Sequence, residues 1–184
     1  MTETNRKSLS KFLSLILRHK PAVAGITLDS HGWADIDELL AGMNKVRHTP
    51  VTLEDVREVV MSNDKQRFAF NDDCTKIRAN QGHSVQVDVE LNELPPPNIL
   101  YHGTSSKFVR KIMDEGLKPQ GRLYVHLSTD AETATKVGSR RGSPVVLTIN
   151  AEKMREDGFR FYLSENGVWL TENVPMRYLK TKSE

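Results

Sequence analysis

Apolar positions in residues 1–80 recur at the three- and four-residue spacing of amphipathic helices. In the first such segment, Pro21 ends the predicted helix. Its apolar positions are Leu9, Phe12, Leu13 and Ile16. Two further helices are predicted to begin at Asp35 and Thr52, because each is followed three residues later by an acidic residue, as in a capping box. The pattern therefore predicts three helices in this part of the chain.

Alternating apolar and polar positions follow these helices and predict a β-hairpin. Residues 67–70 and 75–79 have the composition of two strands, and residues 71–73, Asn-Asp-Asp, are typical of a turn. One face of the hairpin is apolar. The other face is polar and carries Arg67, Lys76 and Arg78. Three helices closed by a hairpin are the arrangement of a winged-helix domain.

The second half of the chain alternates short strands with short helices. Residues 85–91 alternate as a half-buried connecting strand, and residues 95–97 are three prolines, which stop helices and central strands. We therefore expect two domains, residues 1–94 and 95–184, and an α+β fold class. Further strands are predicted at residues 99–102, 123–127, 145–149, 167–171 and 177–179. The predicted helix ends are Ser105 or Ser106 to Gly116, and Thr129 to near Gly138.

Composition limits the classes of function. The 184 residues carry 26 Lys and Arg against 24 Asp and Glu, a net charge of +2, so nucleic-acid contact must come from local clusters of charge. The single cysteine, Cys74, excludes an intrachain disulfide, and the six histidines show no zinc-like spacing. No apolar run approaches the roughly 20 residues of a membrane span, and residues 1–7 lead into no signal-peptide core. We expect a cytoplasmic monomer that binds neither a metal nor a membrane.

Several basic residues lie where they could hold an anion. Arg18 and His19 come just before Pro21, and His19 lies near the apolar helix face, where it could point into a cleft. A guanidinium group matches phosphate oxygens in paired hydrogen bonds, so Arg18, Arg67 and Arg122 would make a phosphate site if they converged. Each also has an ordinary structural explanation. Cations favour a helix C-terminus, and Arg67 and Arg122 fit a solvated strand and a surface loop.

Two segments of the second half place a histidine beside a strand. Residues 101–104, Tyr-His-Gly-Thr, are predicted to join a strand end to a helix start, where glycine allows close approach and free amides suit anions. In residues 125–128, His126 alternates with two apolar neighbours onto the opposite face of the sheet. Both histidines are also compatible with satisfied core positions. Residues 140–142, Arg-Arg-Gly, fit a solvated loop or a second anion contact.

A set of short motifs occurs in a fixed order along the chain. They are Ser-Lys-Phe-Leu-Ser (10–14), Leu-Arg-His-Lys-Pro (17–21), Asp-Ser-His-Gly-Trp-Ala (29–34), Lys-Gln-Arg-Phe (65–68), Gln-Gly-His-Ser (81–84), Tyr-His-Gly-Thr (101–104), Val-His-Leu-Ser (125–128), Gly-Ser-Pro-Val (142–145) and Glu-Asn-Gly-Val-Trp-Leu-Thr (165–171). Any one of them is weak, but their order and spacing are specific. Together they resemble the RNA 2′-phosphotransferase family, enzymes that remove an internal 2′-phosphate left on RNA after splicing-type ligation.

The resemblance implies an N-terminal winged-helix lobe and a C-terminal ADP-ribosyltransferase-like mixed α/β lobe. It implies that NAD is consumed as a co-substrate and that no metal takes part. The family's catalytic Arg-His-Arg-Arg set corresponds to Arg18, His19, Arg67 and Arg122. Its NAD contacts correspond to His102, Gly103, Thr104, His126 and Ser128, with Arg140 as a further contact. Where many family members have Arg-His-Gly, this chain has Arg140-Arg141-Gly142.

The reaction implied by this resemblance has two steps on RNA that carries an internal 2′-phosphate. In the first, the phosphate attacks the NAD ribose carbon that bears nicotinamide, and nicotinamide leaves. In the second, the neighbouring 2″-hydroxyl attacks phosphorus, which frees the RNA 2′-hydroxyl and gives ADP-ribose 1″,2″-cyclic phosphate. The arginines would hold the phosphate. Because histidine titrates near a pKa of about 6.5, His19 would serve in the second step as acid for the RNA oxygen or as base for the 2″-hydroxyl.

Recognition of the RNA is expected to rest on contacts to phosphates and not to bases. The basic residues available for it are Arg6, Lys7, Lys11, Arg18 and Lys20, a run without acidic residues, and Lys76 and Arg78 on the wing.

Two other functions compete with this one. A protein-modifying ADP-ribosyltransferase generally uses a glutamate on a late strand, whereas Val168 holds that place here and Glu165 lies nearer the turn. A non-enzymatic winged-helix regulator that binds DNA would have no use for the NAD-type lobe.

Overall fold

The computed structural model describes residues 1–62 and 65–181. The chain divides into two compact units, Met1–Glu90 and Leu91–Glu184. Each unit contains helices and antiparallel strands, which confirms the expected mixture of α and β structure. Among the described residues, no helix combines the length and the apolar character that crossing a membrane requires.

Three helices of the first unit agree with the apolar periodicity. They are α1, Glu3–Arg18; α2, Ile36–Val46; and α3, Leu53–Met61. The predicted capping box at α3 is present, since the Thr52 hydroxyl accepts from the Asp55 amide and the Asp55 carboxylate accepts from the Thr52 amide. At α2, the Asp35 carboxylate caps the first turn. A 3-10 turn over Pro21–Ala24 follows α1, so this helix ends as predicted.

A three-stranded antiparallel sheet closes the first unit, and one of its strands was not predicted. Its strands are β1, Ala34–Asp35; β2, Phe68–Phe70; and β3, Lys76–Ala79, in the order β1-β3-β2. The hairpin of β2 and β3 confirms the sequence prediction. Strand β1 has only two residues, too few for an alternation to be visible, and it forms because β3 offers it an edge.

The core of the first unit lies between the helices and the sheet. Its fully buried side chains include Leu9, Leu13, Ile16, Leu17, Leu39, Met43, Val56 and Ile77. The alternating apolar faces of the helices and the hairpin meet there, which explains why the periodicity predicted these elements well.

The predicted connecting strand at residues 85–91 is wrong. Residues 81–91 form no strand, although half-buried valines alternate with exposed residues as the pattern indicated. The amides of Ser84 and Val85 donate to the Arg18 carbonyl, and the Asp88 amide donates to the Ser30 carbonyl. The segment therefore lies along the first unit without a partner strand, because alternation reports which side chains are buried and not whether a ladder exists.

The second unit combines seven strands with three helices among its described residues. The strands are β4, Asn92–Glu93; β5, Ile99–Ser105; β6, Val125–Leu127; β7, Pro144–Asn150; β8, Tyr162–Leu163; β9, Trp169–Thr171; and β10, Leu179–Thr181. The helices are α4, Ser106–Glu115; α5, Ala131–Gly138; and α6, Ala151–Glu156. Every predicted strand of residues 95–184 has a counterpart, although the last one begins at Leu179 after a 3-10 turn over Met176–Tyr178.

These strands form two antiparallel sheets. One has the order β10-β7-β5 and the other the order β4-β8-β9-β6. An isolated bridge links the sheets, since Tyr101 and Ser128 exchange backbone hydrogen bonds of 2.8 Å in both directions. The core beneath them includes Leu100, Leu127, Leu147, Ile149, Met154 and Phe161.

Two of the three helices of the second unit, α4 and α5, were predicted, whereas α6 was not. The N-cap of α4 is Ser105, whose side chain makes no capping hydrogen bond, and Gly116 ends this helix as predicted. The N-cap of α5 is Asp130 and not Thr129, because the Asp130 carboxylate accepts from the Thr133 amide at 2.6 Å. Both residue types cap helices well, so the sequence alone could not separate these neighbours.

Candidate functional site

Arg18 occupies the last turn of α1 and is buried, with 8% of its surface exposed. Its Nη2 donates to the Arg67 carbonyl at 3.3 Å, and its guanidinium carbon lies 5.7 Å from the centre of the Phe68 ring. A buried guanidinium is costly unless it is hydrogen-bonded, so these contacts explain how the fold tolerates it. Arg18 is therefore a buried, hydrogen-bonded part of the first unit and not only a cation at a helix C-terminus.

His19 follows directly as the residue that ends α1. Its Nδ1 lies 2.9 Å from the Ser84 hydroxyl oxygen, while the Ser84 amide donates to the Arg18 carbonyl at 2.9 Å. The residue is half-buried. Its imidazole is thus tied to a segment 65 positions away in the chain.

Arg67 is half-buried and lies immediately before β2. Its carbonyl accepts from the Asn80 amide at 2.9 Å and from the Arg18 guanidinium at 3.3 Å. In the first unit, the Arg18 guanidinium therefore lies beside the Arg67 backbone, with His19 next to Arg18 in the chain, and the catalytic roles that the resemblance implies stay predictions.

Ser84 is a residue of this cluster that the sequence did not assign to the site. The motif Gln-Gly-His-Ser at 81–84 marks the segment as part of the family pattern, yet nothing in its composition indicates which side chain contacts His19. Only the return of the chain past the end of α1 shows this.

His83, beside Ser84, is buried, with 2% of its surface exposed. Burial, followed by the positive charges of Arg18, His19 and Arg78, lowers the pKa of His83 from 6.5 to about 4. The imidazole is therefore neutral at neutral pH and adds no charge to the cluster.

Arg78 does not lie on the exposed face of the hairpin, where the predicted RNA-binding wing places it. The side chain was expected on the polar face of the hairpin, but it is buried, with its guanidinium carbon 4.4 Å from the centre of the Trp33 ring and its Nη1 3.1 Å from a Glu90 carboxylate oxygen. These contacts hold the Arg78 side chain within the first unit, so it is not the solvent-exposed wing residue that the alternation predicted. Of the predicted wing pair, Lys76 is exposed, and it pairs with Asp29 at 3.2 Å.

The basic run along α1 is also partly neutralised. Arg6 pairs with Glu58 at 3.0 Å and Lys7 with Glu3 at 2.5 Å. Lys11 and Lys20 are exposed. Neither partner lies within the run, because Glu3 precedes it in α1 and Glu58 belongs to α3. The lack of acidic residues in the run therefore gave no sign of these ion pairs.

A second cluster lies in the second unit, around His126 of β6. The Arg122 guanidinium donates to His126 Nδ1 at 2.9 Å, and His102 Nδ1 donates to the His126 carbonyl at 2.9 Å. A guanidinium can only donate, so His126 Nδ1 accepts; a carbonyl can only accept, so His102 Nδ1 carries a proton. His126 alternates between the buried Val125 and Leu127, as predicted, and orients both of its partners.

His102 lies half-buried in β5. Burial lowers the pKa of His102, and its hydrogen bond to the His126 carbonyl opposes this shift without reversing it. The neutral ring, with its proton on Nδ1, presents Nε2 as a hydrogen-bond acceptor. Such a group suits a hydroxyl of a ligand.

Gly103 and Thr104 do not form the predicted turn. Strand β5 continues through both residues to Ser105, so the segment has no free helix amides before Ser106. Gly103 does allow a close approach, but of α5: a Cβ at this position would lie 1.6 Å from the Ala134 carbonyl oxygen. Glycine is therefore required here for packing.

Arg122, Arg140 and Arg141 form a positive cluster in the second unit. Partial burial of the guanidinium, followed by repulsion from Arg141 and Arg140, lowers the pKa of Arg122. All three residues are exposed, and arginine remains protonated in proteins, so this cluster of like charges favours an anion. Arg140 and Arg141 lie in a 3-10 turn, Ser139–Arg141, directly after α5.

The late strands place Glu165 in the turn, as expected, but leave Val168 just before the strand and not on it. Glu165 is exposed in the turn between β8 and β9, and Val168 directly precedes β9. Backbone bonds between Ser164 and Val168 close this turn. Among residues 1–62 and 65–181, no three histidine, cysteine or acidic side chains are grouped so that they could hold a metal ion.

Comparison with known proteins adds an independent finding. The family model described as "RNA 2'-phosphotransferase, Tpt1 / KptA family" matches residues 4–173. Curated relatives named "Probable RNA 2'-phosphotransferase" include one from Flavobacterium johnsoniae, 54% identical over 100% of both chains, and one from Rhodopirellula baltica, 55% identical over 94% of both chains. A relative of the same name from Burkholderia pseudomallei is 51% identical over 93% of this chain and 92% of its own.

Proposed function

The chain belongs to the RNA 2′-phosphotransferase family, and we propose that it removes an internal 2′-phosphate from RNA in a reaction that consumes NAD. The observation that supports this most directly is the cluster of Arg18, His19 and Arg67 in the first unit. It places the Arg18 guanidinium, which suits a phosphate, beside the backbone of a second arginine and next in the chain to a histidine, a residue type used for proton transfer.

We propose a winged-helix fold for the first unit and an ADP-ribosyltransferase-like fold for the second. Three helices and a sheet of order β1-β3-β2 support the first assignment. Two antiparallel sheets linked at Tyr101 and Ser128 support the second. Fold alone does not give an activity, so the function rests on the side chains.

The chemistry of the second cluster fits NAD. The positive charges of Arg122, Arg140 and Arg141 repel one another, and a bound pyrophosphate would relieve that repulsion. The acceptor Nε2 of His102 suits a ribose hydroxyl. Gly103, Thr104 and Ser128 would shape this region through the backbone of β5 and its bridge to β6. NAD supplies the reactive bond between its ribose and nicotinamide.

In the first step, the protein's task is to bind and align. An RNA 2′-phosphate oxygen forms a bond to the ribose carbon as the bond to nicotinamide breaks, and no proton transfer to the nucleophile is needed because it is already an anion. Arg18, Arg67 and Arg122 hold the phosphate so that an oxygen faces the carbon.

In the second step, charge builds on the phosphate and a proton must move. The ribose 2″-hydroxyl forms a bond to phosphorus, the bond from phosphorus to the RNA 2′-oxygen breaks, and that oxygen takes up a proton. The arginines stabilise the developing charge, and His19 exchanges the proton as acid or base.

The placement of Glu165 and Val168 supports RNA, and not protein, as the acceptor. A neutral protein side chain needs a base to activate it, and Val168 cannot provide one. Glu165 lies in the turn beside β9 and not on the strand. A phosphate acceptor has no such need.

The experiment that tests the proposal mixes the full-length protein, NAD and a short RNA with one internal 2′-phosphate, and identifies the products by mass spectrometry. We expect nicotinamide, RNA with a free 2′-hydroxyl and ADP-ribose 1″,2″-cyclic phosphate. Arg67→Ala should lower the rate by at least about tenfold. Arg57→Ala is the matched control, because Arg57 is an exposed arginine of the same unit that pairs only loosely with Glu54 at 3.7 Å, and it should keep the wild-type rate.

Other products would contradict the proposal. Label from NAD on protein in the absence of RNA would favour protein modification. Duplex DNA binding without NAD turnover would favour a regulator. Full activity of Arg67→Ala would remove Arg67 from the site while leaving the reaction itself established by its products.

A further inference from the structure

We propose that Ser84 is a positioning residue for His19, fixing the imidazole with its proton on Nδ1 so that Nε2 exchanges the proton during the reaction. This inference rests on the proposed function only where it gives His19 a role in proton transfer. The orientation of the imidazole by Ser84 does not depend on that function and is tested separately.

The contact is short and comes from a well-anchored segment. The Ser84 hydroxyl oxygen lies 2.9 Å from His19 Nδ1. The backbone of the same segment is tied to the end of α1, since the amides of Ser84 and Val85 donate to the Arg18 carbonyl at 2.9 and 3.3 Å. The carbonyl that receives them belongs to the residue next to His19, so the imidazole and its partner are held by one peptide group.

The two residues before Ser84 keep this segment from shifting. Gly82 has a φ of 90°, a conformation that favours glycine, and His83 beside it is buried. The turn at Gly82 sends the His83 ring inward while Ser84 is exposed. Ser84 therefore meets His19 from a fixed backbone.

The surroundings of Ser84 favour one direction of its hydrogen bonds. The Ser84 hydroxyl also lies 3.5 Å from the Arg18 carbonyl oxygen, to which it can donate a weak hydrogen bond. When it does so, its proton points away from the imidazole. The oxygen then accepts from His19 Nδ1–H. The last carbonyls of a helix carry partial negative charge, so the same arrangement also suits a positively charged imidazole after it has taken up a proton.

The test measures the His19 ring directly, by long-range ¹H–¹⁵N NMR of the full-length protein at a pH where the imidazoles are neutral. In the wild type, we expect His19 to carry its proton on Nδ1. In Ser84→Ala, which removes this acceptor, we expect the fraction of His19 rings with the proton on Nδ1 to fall. His31 is an internal control, because its Nδ1 lies 2.9 Å from the Asp88 carbonyl and its tautomer should be the same in both proteins.

Activity is measured in the same proteins as two separate rates. Ser84→Ala should slow the release of 2′-hydroxyl RNA by about tenfold and nicotinamide release by less than about threefold, so that ADP-ribosylated RNA accumulates. Ser84→Thr keeps the hydroxyl and should restore both rates to within about threefold of the wild type. A merely structural role of Ser84 would slow both steps alike.

An unchanged His19 tautomer in Ser84→Ala would overturn the proposal whatever the rates. Equal slowing of both steps would overturn it as well. If the tautomer changes as expected while the wild type removes no 2′-phosphate, the positioning contact stands and the proposed function fails, so the two failures are distinguishable.

Discussion

The two units of this protein hold their candidate arginines in opposite ways. Arg18 of the first unit is buried, with 8% of its surface exposed, and is bonded to the backbone of Arg67. Arg122 of the second unit is exposed and donates to the side chain of His126. In the first unit, Arg18 therefore both stabilises the fold and takes part in the proposed reaction. In the second unit, Arg122 takes part in the proposed reaction while other residues stabilise the fold.

The stability of the second unit depends instead on the close packing of α5 against β5. Gly103 meets the Ala134 carbonyl, and Gly138 meets the Thr104 carbonyl, where an added Cβ would lie 2.6 Å away. The backbone there is too close for any side chain. The difference between the units teaches that a residue of a candidate site motif can be required for the packing of the fold itself.

Among the variants that test this comparison, Gly103→Ala is expected to lower stability the most. The new Cβ would lie 1.6 Å from a backbone oxygen, so either the strand or α5 must move. We expect the second unit to lose at least about 4 kcal/mol of unfolding free energy. Hydrogen exchange of the β5 and β7 amides in the full-length protein measures this, with the α1 amides unchanged.

Gly158→Ala is the control for this steric effect. Gly158 has open space around it and a φ of 89°, so alanine there meets no neighbour and costs only about 1–2 kcal/mol of backbone strain. Equal losses for the two variants would show that the contact with α5 does not determine the need for Gly103.

Arg18→Ala and Arg122→Ala test whether fold and reaction are separated as the comparison states. Both should lower 2′-phosphate removal by at least about a hundredfold, the usual effect of losing one such donor. Arg18→Ala should also lower the unfolding free energy by about 1–3 kcal/mol, since it removes a buried hydrogen-bonded group. Arg122→Ala should change it by less than about 0.5 kcal/mol. Steady-state rates and thermal unfolding provide the two measurements.

A loss of stability in Arg122→Ala as large as that in Arg18→Ala would contradict the comparison. So would a catalytic loss in Arg18→Ala that tracks only the unfolded fraction.

The pH dependence of the first unit's stability is expected to follow the protonation of His83. The pKa of His83 is about 4 in the folded chain against 6.5 for an ordinary histidine, so the unfolded chain binds more protons between these values. Stability is therefore full above pH 6.5 and falls as the pH drops toward 4, by about 3 kcal/mol in all. Hydrogen exchange of the α1 amides as a function of pH measures it.

His83→Asn should flatten this dependence, because asparagine does not titrate. Any general destabilisation by the substitution shifts the curve without changing its slope. Asp55 does not obscure the result, because the Thr52 amide and hydroxyl lower its pKa below the ordinary 3.8 and its contribution is lost at more acid pH. Parallel curves for the wild type and His83→Asn would refute the assignment to His83.

Periodic elements of this fold were predictable from the sequence because their signal is local. The helices α1, α2 and α3 and the hairpin of β2 and β3 each bury one face, and burial leaves its period in the order of residues. Residues 85–91 show the limit of this reasoning. Their valines are half-buried on alternate positions, but none of the strands in residues 1–62 and 65–181 pairs with them.

Motif order named the candidate site residues, but their surroundings depended on contacts between distant segments. Arg18 and Arg67 were named from the motifs, whereas the hydrogen bond between them needs β2 to lie beside the end of α1. Arg78 was misplaced for the same reason. Its position in the hairpin is polar by alternation, yet Trp33 and Glu90 cover it.

By itself, the sequence determined the family, the helices α1 to α5, most strands and the identity of the charged groups, because periodicity, capping and motif order are all properties of neighbouring residues. Tertiary structure alone decided that Ser84 meets His19, that Gly103 serves packing and that burial keeps His83 neutral. Each of these depends on which remote backbone or charge comes within a few ångströms, since hydrogen bonds, steric contact and desolvation act over distances in space and not along the chain.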